Sequence, residues 1–128
     1  MFPIRDHNPS LRTPYVTYAL ITANVAVFLY GLAALQSPLA ERMFLFDYAM
    51  IPRLISQGDG QLGLLTHMFI HGGWMHIAGN MLFLYVYGDN LEEEMGHVGF
   101  LLFYLGCGLV AGYAQYLMAP TSPIPMVG

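Results

Sequence analysis

Three long stretches without a formal charge alternate with polar or mixed segments along the 128 residues. The first, Tyr15 to Leu35, runs for 21 residues. About 20 apolar residues at about 1.5 Å each cross a hydrocarbon layer roughly 30 Å thick, so this stretch predicts a spanning helix. Asn24 is its one strongly polar interior residue, and such a side chain normally faces a partner helix instead of lipid. The second stretch, Leu62 to Tyr87, is interrupted by His67, His71 and the Gly72-Gly73 pair. Its continuous helical part begins at about Trp74 and predicts a span over residues 74–88. The third, Val98 to Met118, is again 21 uncharged residues and predicts a span.

The intervening segments read differently. Residues 1–14 carry Pro3, Pro9 and Pro14 and predict a polar tail at a membrane surface. Residues 36–73 form a large first loop. Its front part, to Gly60, mixes Glu41, Arg42, Asp47, Arg53 and Asp59 with apolar residues such as Met43, Phe44, Phe46, Met50, Ile51 and Leu54. That mixture is too polar to span and too apolar for a solvated linker, and it predicts an interfacial loop with short amphipathic helices. Gly88 to Gly96 predicts an acidic turn, and Ala119 to Gly128, with Pro120, Pro123 and Pro125, a loop. Gly108 and Gly112 have the small-xxx-small spacing that lets helices approach closely. The predicted architecture is an all-α membrane protein, with residues 15–128 as one partial membrane domain.

Composition agrees with a lipid solvent. Apolar residues make up 56% of the chain and charged residues 9%, where soluble domains carry roughly 25% charged. Lysine is absent, and the basic residues are Arg5, Arg12, Arg42 and Arg53. The net charge of −4 centres on Asp89, Glu92, Glu93 and Glu94, which excludes a basic footprint for nucleic acid. The arginines divide equally between tail and first loop, so the positive-inside count favours neither orientation. Cys107 is the sole cysteine and reads as a small packing residue. The apolar run after the N-terminus is too long for a signal peptide.

The polar residues of the second stretch carry the chemistry. His76 and Asn80 are four apart and therefore share one helix face, with only Ala78 and Gly79 as small neighbours beside it. Ionisable and polar groups inside a membrane helix are costly unless paired or facing a wet cavity. A neutral imidazole N–H and an amide NH₂ are uncharged donors and poor nucleophiles. Two such donors converging on one point suit an oxygen that gains negative charge, as in acyl transfer. Read singly, each is more simply a satisfied polar residue of the core. A metal site is the competing reading, because four histidines and Glu92 to Glu94 suffice for zinc. However, there is no His-Glu-x-x-His, and Gly72-Gly73 breaks the helical phase between His71 and His76.

The run Thr66-His67-Met68-Phe69-Ile70-His71-Gly72-Gly73-Trp74-Met75-His76-Ile77-Ala78-Gly79-Asn80 resembles the signature of rhomboid intramembrane serine proteases. Leu20 to Phe28 looks like the family's first span, and Gly88-Asp89-Asn90-Leu91-Glu92 with Gly96 is similar to its acidic turn. The resemblance implies three spans of a six-helix bundle, hydrolysis of peptide bonds in or near transmembrane segments through an acyl-enzyme, and no cofactor. It implies that His76 and Asn80 line the oxyanion hole, that His71 supports them by a hydrogen bond, and that Glu92 helps hold the large loop. Leu62-Gly63 stands where the family often has Trp-Arg. Rhomboids carry their nucleophile in Gly-x-Ser-Gly and their base in a later span. Gly128 matches the first glycine of that motif, and none of Ser10, Ser37, Ser56 and Ser122 lies in such a motif. The expectation is a fragment, inactive alone, whose partners are the bilayer, transmembrane protein substrates and the remaining C-terminal half, in a multi-pass protein of a plasma or inner membrane. The alternative is a non-catalytic relative that binds transmembrane clients.

Overall fold

Prolines and glycines set the boundaries of the helices. A computed structural model describes residues 13–127, so the expected surface tail, up to residue 12, and Gly128 lie outside the described residues. The elements are α1 (Tyr15–Ala34), α2 (Pro38–Tyr48), α3 (Pro52–Ser56), α4 (Gly63–Thr66), a 3₁₀ turn (His67–Phe69) and α5 (Trp74–Met118). Ser37 caps α2 by accepting from the Ala40 N–H at 3.1 Å, and Pro38 occupies the first helical turn. Pro52 likewise opens α3. Gly73 is extended and marks the start of α5. The short helices expected in the front part of the first loop are therefore present as α2 and α3, and α4 follows beyond it. Among the described residues the only β pairing is an isolated antiparallel bridge between Met50 and Met126.

α5 has 45 residues, about 68 Å of helix and more than twice the hydrocarbon thickness. It is broken at Gly96, whose φ of 78° favours glycine. The acidic stretch expected as a turn is therefore helical through residue 95, and the turn is reduced to one residue. Leu, Glu and Met are good helix formers and no proline intervenes, so only Gly96 breaks the ladder. The two arms of α5 pack beside α1 in opposite senses. In the first arm Trp74 meets Phe28 edge-on at 4.9 Å, while Glu92 bonds Val16 and Thr17 at the other end of α1. In the second, His97 lies 5.5 Å from Tyr15 and Tyr104 bonds Asn24, so this arm runs parallel to α1.

By length and composition α1 and α5 can each cross a membrane, and α5 contains both of the later spans read from the sequence. Their outer faces expose many large apolar side chains, Tyr18, Leu29, Leu82, Phe83, Leu102 and Val110 among them. The interior is unusually polar. Thr17, Asn24, His67, His71 and Glu92 are buried beside Leu20, Met50, Met68, Ile70, Ile77, Val86 and Phe100.

The glycines of the small-xxx-small pattern serve a different partner from the one expected. A Cβ on Gly108 would meet the Met68 Sδ at 2.6 Å, and one on Gly112 would meet the His67 Nε2 at 2.9 Å. They form a socket for the 3₁₀ turn and α4 of the first loop, not a seam for another long helix. Gly63 acts similarly: its Cβ would lie 2.9 Å from the Ala49 carbonyl carbon and 3.1 Å from the Met50 Cα. Leu62-Gly63 is used here for a close backbone approach.

Candidate functional site

The 3₁₀ turn and the extended residues after it deliver two histidines to α5. His67 is buried, and its Nε2–H donates to the Gly108 carbonyl at 3.0 Å. A carbonyl can only accept, so this bond fixes the neutral tautomer and leaves Nδ1 as an acceptor. His71 follows Ile70, whose φ and ψ of −105° and 132° are extended. It is 8% exposed, and its ring lies 5.1 Å from that of His76 at an interplanar angle of 77°. The hydrogen bond implied for this pair is instead an edge-to-face contact, because the extended chain through Gly72-Gly73 brings His71 in beside the first turn of α5. Nδ1 of His67 and Nδ1 of His71 are buried and have no hydrogen-bond partner among the described residues.

Asn80 sits one turn after His76 on α5 and lines a cavity of about 430 Å³ together with His67, His71, Tyr104 and Val127. His71 thus touches His76 on one side and shares the cavity with Asn80 on the other. His76 and Asn80 are both exposed; Asn80 lines the cavity, whereas His76 reaches it only through its contact with His71. The last described residues reach this place too, since Met126 and Val127 are part of the cavity wall. His71 and Val127 also border a second cavity of about 570 Å³ between α1 and α2.

Glu92 is buried at 2% exposure, but its partners are not in the large loop. Its carboxylate accepts from the Val16 N–H at 2.9 Å, the Thr17 N–H at 2.8 Å and the Thr17 hydroxyl at 2.8 Å, and it pairs with Nδ1 of His97. The reason lies in α1. Pro14 supplies no side-chain cap, so the first N–H groups of α1 need an acceptor from elsewhere. A carboxylate at a helix N-terminus meets both the open donors and the positive end of the dipole. Sequence reasoning missed Thr17 and His97. A threonine two residues into an apolar run and a histidine five residues after Glu92 were the available signals.

Among the described residues no three His, Cys, Asp or Glu side chains gather as a metal site. Nε2 of His67 is engaged with a backbone carbonyl, and Glu92 sits beside the N-terminal end of α1, away from His71 and His76.

Burial lowers the pKa of His67 from 6.5, partly opposed by the bond to Gly108. Burial, followed by repulsion from His76, lowers that of His71. Both rings therefore favour the neutral form in the folded protein. The unfolded chain takes up these protons near pH 6.5 and the folded chain only at lower pH. The stabilisation is present above pH 6.5 and is lost as pH falls through the lowered folded values. Melting temperature in detergent is expected to fall between pH 7.5 and 5.5, and His67→Gln should flatten that fall. An unchanged slope in the variant would remove His67 from the account.

An apolar helical assembly with a polar interior and a histidine-lined cavity defines a helical membrane protein. Its relatives make the class specific. Residues 59–128 match the family model described as Rhomboid domain. The chain is 37% identical over 60 residues to rhomboid-like protein 11, chloroplastic, of Arabidopsis thaliana, covering 47% of this chain and 21% of that protein. It is 32% identical over 107 residues to rhomboid protease GluP of Bacillus subtilis, covering 84% of this chain and 21% of that protein. This chain belongs to the rhomboid family, a family of proteases. It matches only about a fifth of the length of these relatives.

Proposed function

We propose that this chain is the front part of an intramembrane serine endopeptidase that hydrolyses peptide bonds in or near transmembrane segments of membrane proteins. Three crossings of a six-helix bundle, formed by α1 and the two arms of α5, hold the site within a multi-pass protein of a plasma or inner membrane. The observation that carries the reading is the convergence of His71, Asn80 and Val127 on one cavity, with His76 against His71.

In this reading His76 and Asn80 donate to the carbonyl oxygen of the scissile bond as it becomes an oxyanion. His71 holds the His76 ring by its edge contact. The nucleophile is a serine two residues beyond Gly128, which follows directly on the residue that lines the cavity, and its base comes from a later span. The serine adds to the carbonyl carbon while its proton passes to the base. The amine then leaves with that proton, and water releases the acyl group. Glu92 supports the site indirectly, by anchoring α1 to α5.

The test is turnover of a fluorogenic transmembrane substrate in liposomes by the protein from the complete open reading frame and by residues 1–128. Cleavage by the first and none by the second is expected. No cleavage by the complete protein, with stable capture of transmembrane helices, would instead establish the non-catalytic client binder.

A further inference from the structure

The segment after α5 is tied to the first loop far more closely than a connecting loop requires. Pro120, Pro123 and Pro125 restrict it, and each proline also biases the residue before it toward extended backbone. Three of the donors that remain tie it down. Ser122 N–H bonds the Ala119 carbonyl, Ile124 N–H the Ser122 hydroxyl, and Met126 N–H the Met50 carbonyl at 2.7 Å. Loop residues approach from the other side: Met50 N–H donates to the Met126 carbonyl at 3.1 Å, Arg53 N–H to the Ser122 carbonyl at 3.0 Å, and the Ser56 hydroxyl to the Pro120 carbonyl at 2.6 Å. Carbonyls 120, 122 and 126 are thus held in order by residues 56, 53 and 50.

The loop side of this contact is itself rigid. Met50 is 0% exposed, Ala49 and Ile51 are buried, and Gly63 lets α4 press directly on the backbone at residues 49–50. At its other end the tied segment delivers Pro125 and Val127 beside His71.

We infer that residues 50–56 form a clasp that sets the position of Met126 and Val127 in the wall of the site, with Ser56 as a positioning residue. The inference rests on the proposed function for its catalytic consequence, though not for its geometry. The clasp fixes the place of Val127 beside His71, in the cavity wall that Asn80 shares. A misplacement of about 1 Å costs up to roughly 100-fold in a reaction of this kind.

Two measurements on the protein from the complete open reading frame test it. The reciprocal bonds make Met50 and Met126 a hydrogen-bonded antiparallel pair, with Cα atoms about 5.5 Å apart and within disulfide reach. Met50→Cys with Met126→Cys, in a Cys107→Ala background, should form a disulfide under mild oxidation. The oxidised enzyme should keep activity within about twofold of the reduced one. Failure to cross-link, or a loss of tenfold or more on cross-linking that reduction restores, would overturn the clasp.

Because Met50 is fully buried, the exposed Ser56 supplies an independent arm. Ser56→Ala should lower kcat about tenfold with KM unchanged, and Ser56→Thr should restore it. A lowered melting temperature with kcat intact would show a merely structural contact and sink the positioning role. If the wild-type protein cleaves nothing, the proposed function fails, while the cross-link still decides the geometry.

Discussion

His76→Ala in the complete protein is expected to lower kcat by about 10²–10³-fold while KM changes little. The loss corresponds to about 2.7–4 kcal/mol, the usual cost of removing one oxyanion donor. The imidazole is exposed on α5 and meets only the edge of His71 in a ring contact, so its removal opens no large void in the core. A folding defect is therefore not the expected cause. Asn80→Ala should act on the same step, because Asn80 lies one turn away and faces the cavity that His71 lines. The double variant should lose less than the product of the single losses, since donors that act on one oxygen are not additive. A rise in KM with kcat unchanged would place these residues in substrate binding and remove them from transition-state stabilisation.

The second large effect is expected at Glu92. Glu92→Ala strips the acceptor from two backbone N–H groups, the Thr17 hydroxyl and His97. Unsatisfied buried donors cost about 1–3 kcal/mol each, and water at the helix end recovers part of that. A net destabilisation of about 3 kcal/mol is expected, seen as a lowered denaturation midpoint in detergent. Glu92→Gln keeps an acceptor oxygen and should cost less. Gly88 adds a constraint, because a Cβ there would meet both the Cγ2 and Oγ1 of Thr17 at 2.9 Å. α1 can therefore sit against α5 only in this register. Equal midpoints for Glu92→Ala and the wild type would contradict the anchoring role.

The long helices α1 and α5 were legible because they depend on apolar runs of sufficient length. The start of α5 was also legible, since Gly72-Gly73 is a strong local breaker. The acidic stretch was misread because its charge suggested a turn, whereas its residues favour helix and only Gly96 has the backbone freedom to end it. Gly108 and Gly112 were recognised as a close-approach surface, but their partner was not. Which element fills a glycine notch is decided by tertiary packing, and the 3₁₀ turn at His67–Phe69 carries no periodic signal. The resemblance ties the carboxylate of Glu92 to the large loop, whereas its bonds go to α1 and His97, for the same reason. Its partners on α1 lie 75 residues away or more, at a distance that no local pattern encodes, while His97 is only five residues on. The pairing of Met50 with Met126 was invisible, being a single bridge outside any strand.

The most direct test of the account is to locate the reactive residue itself. The complete protein is treated in membranes with a fluorophosphonate probe, digested, and the adduct is placed by tandem mass spectrometry, alongside His76→Ala and Asn80→Ala. The account predicts one adduct, on a serine two residues after Gly128, formed far more slowly when either donor is removed. An adduct elsewhere, or labelling at the wild-type rate in both variants, would contradict it.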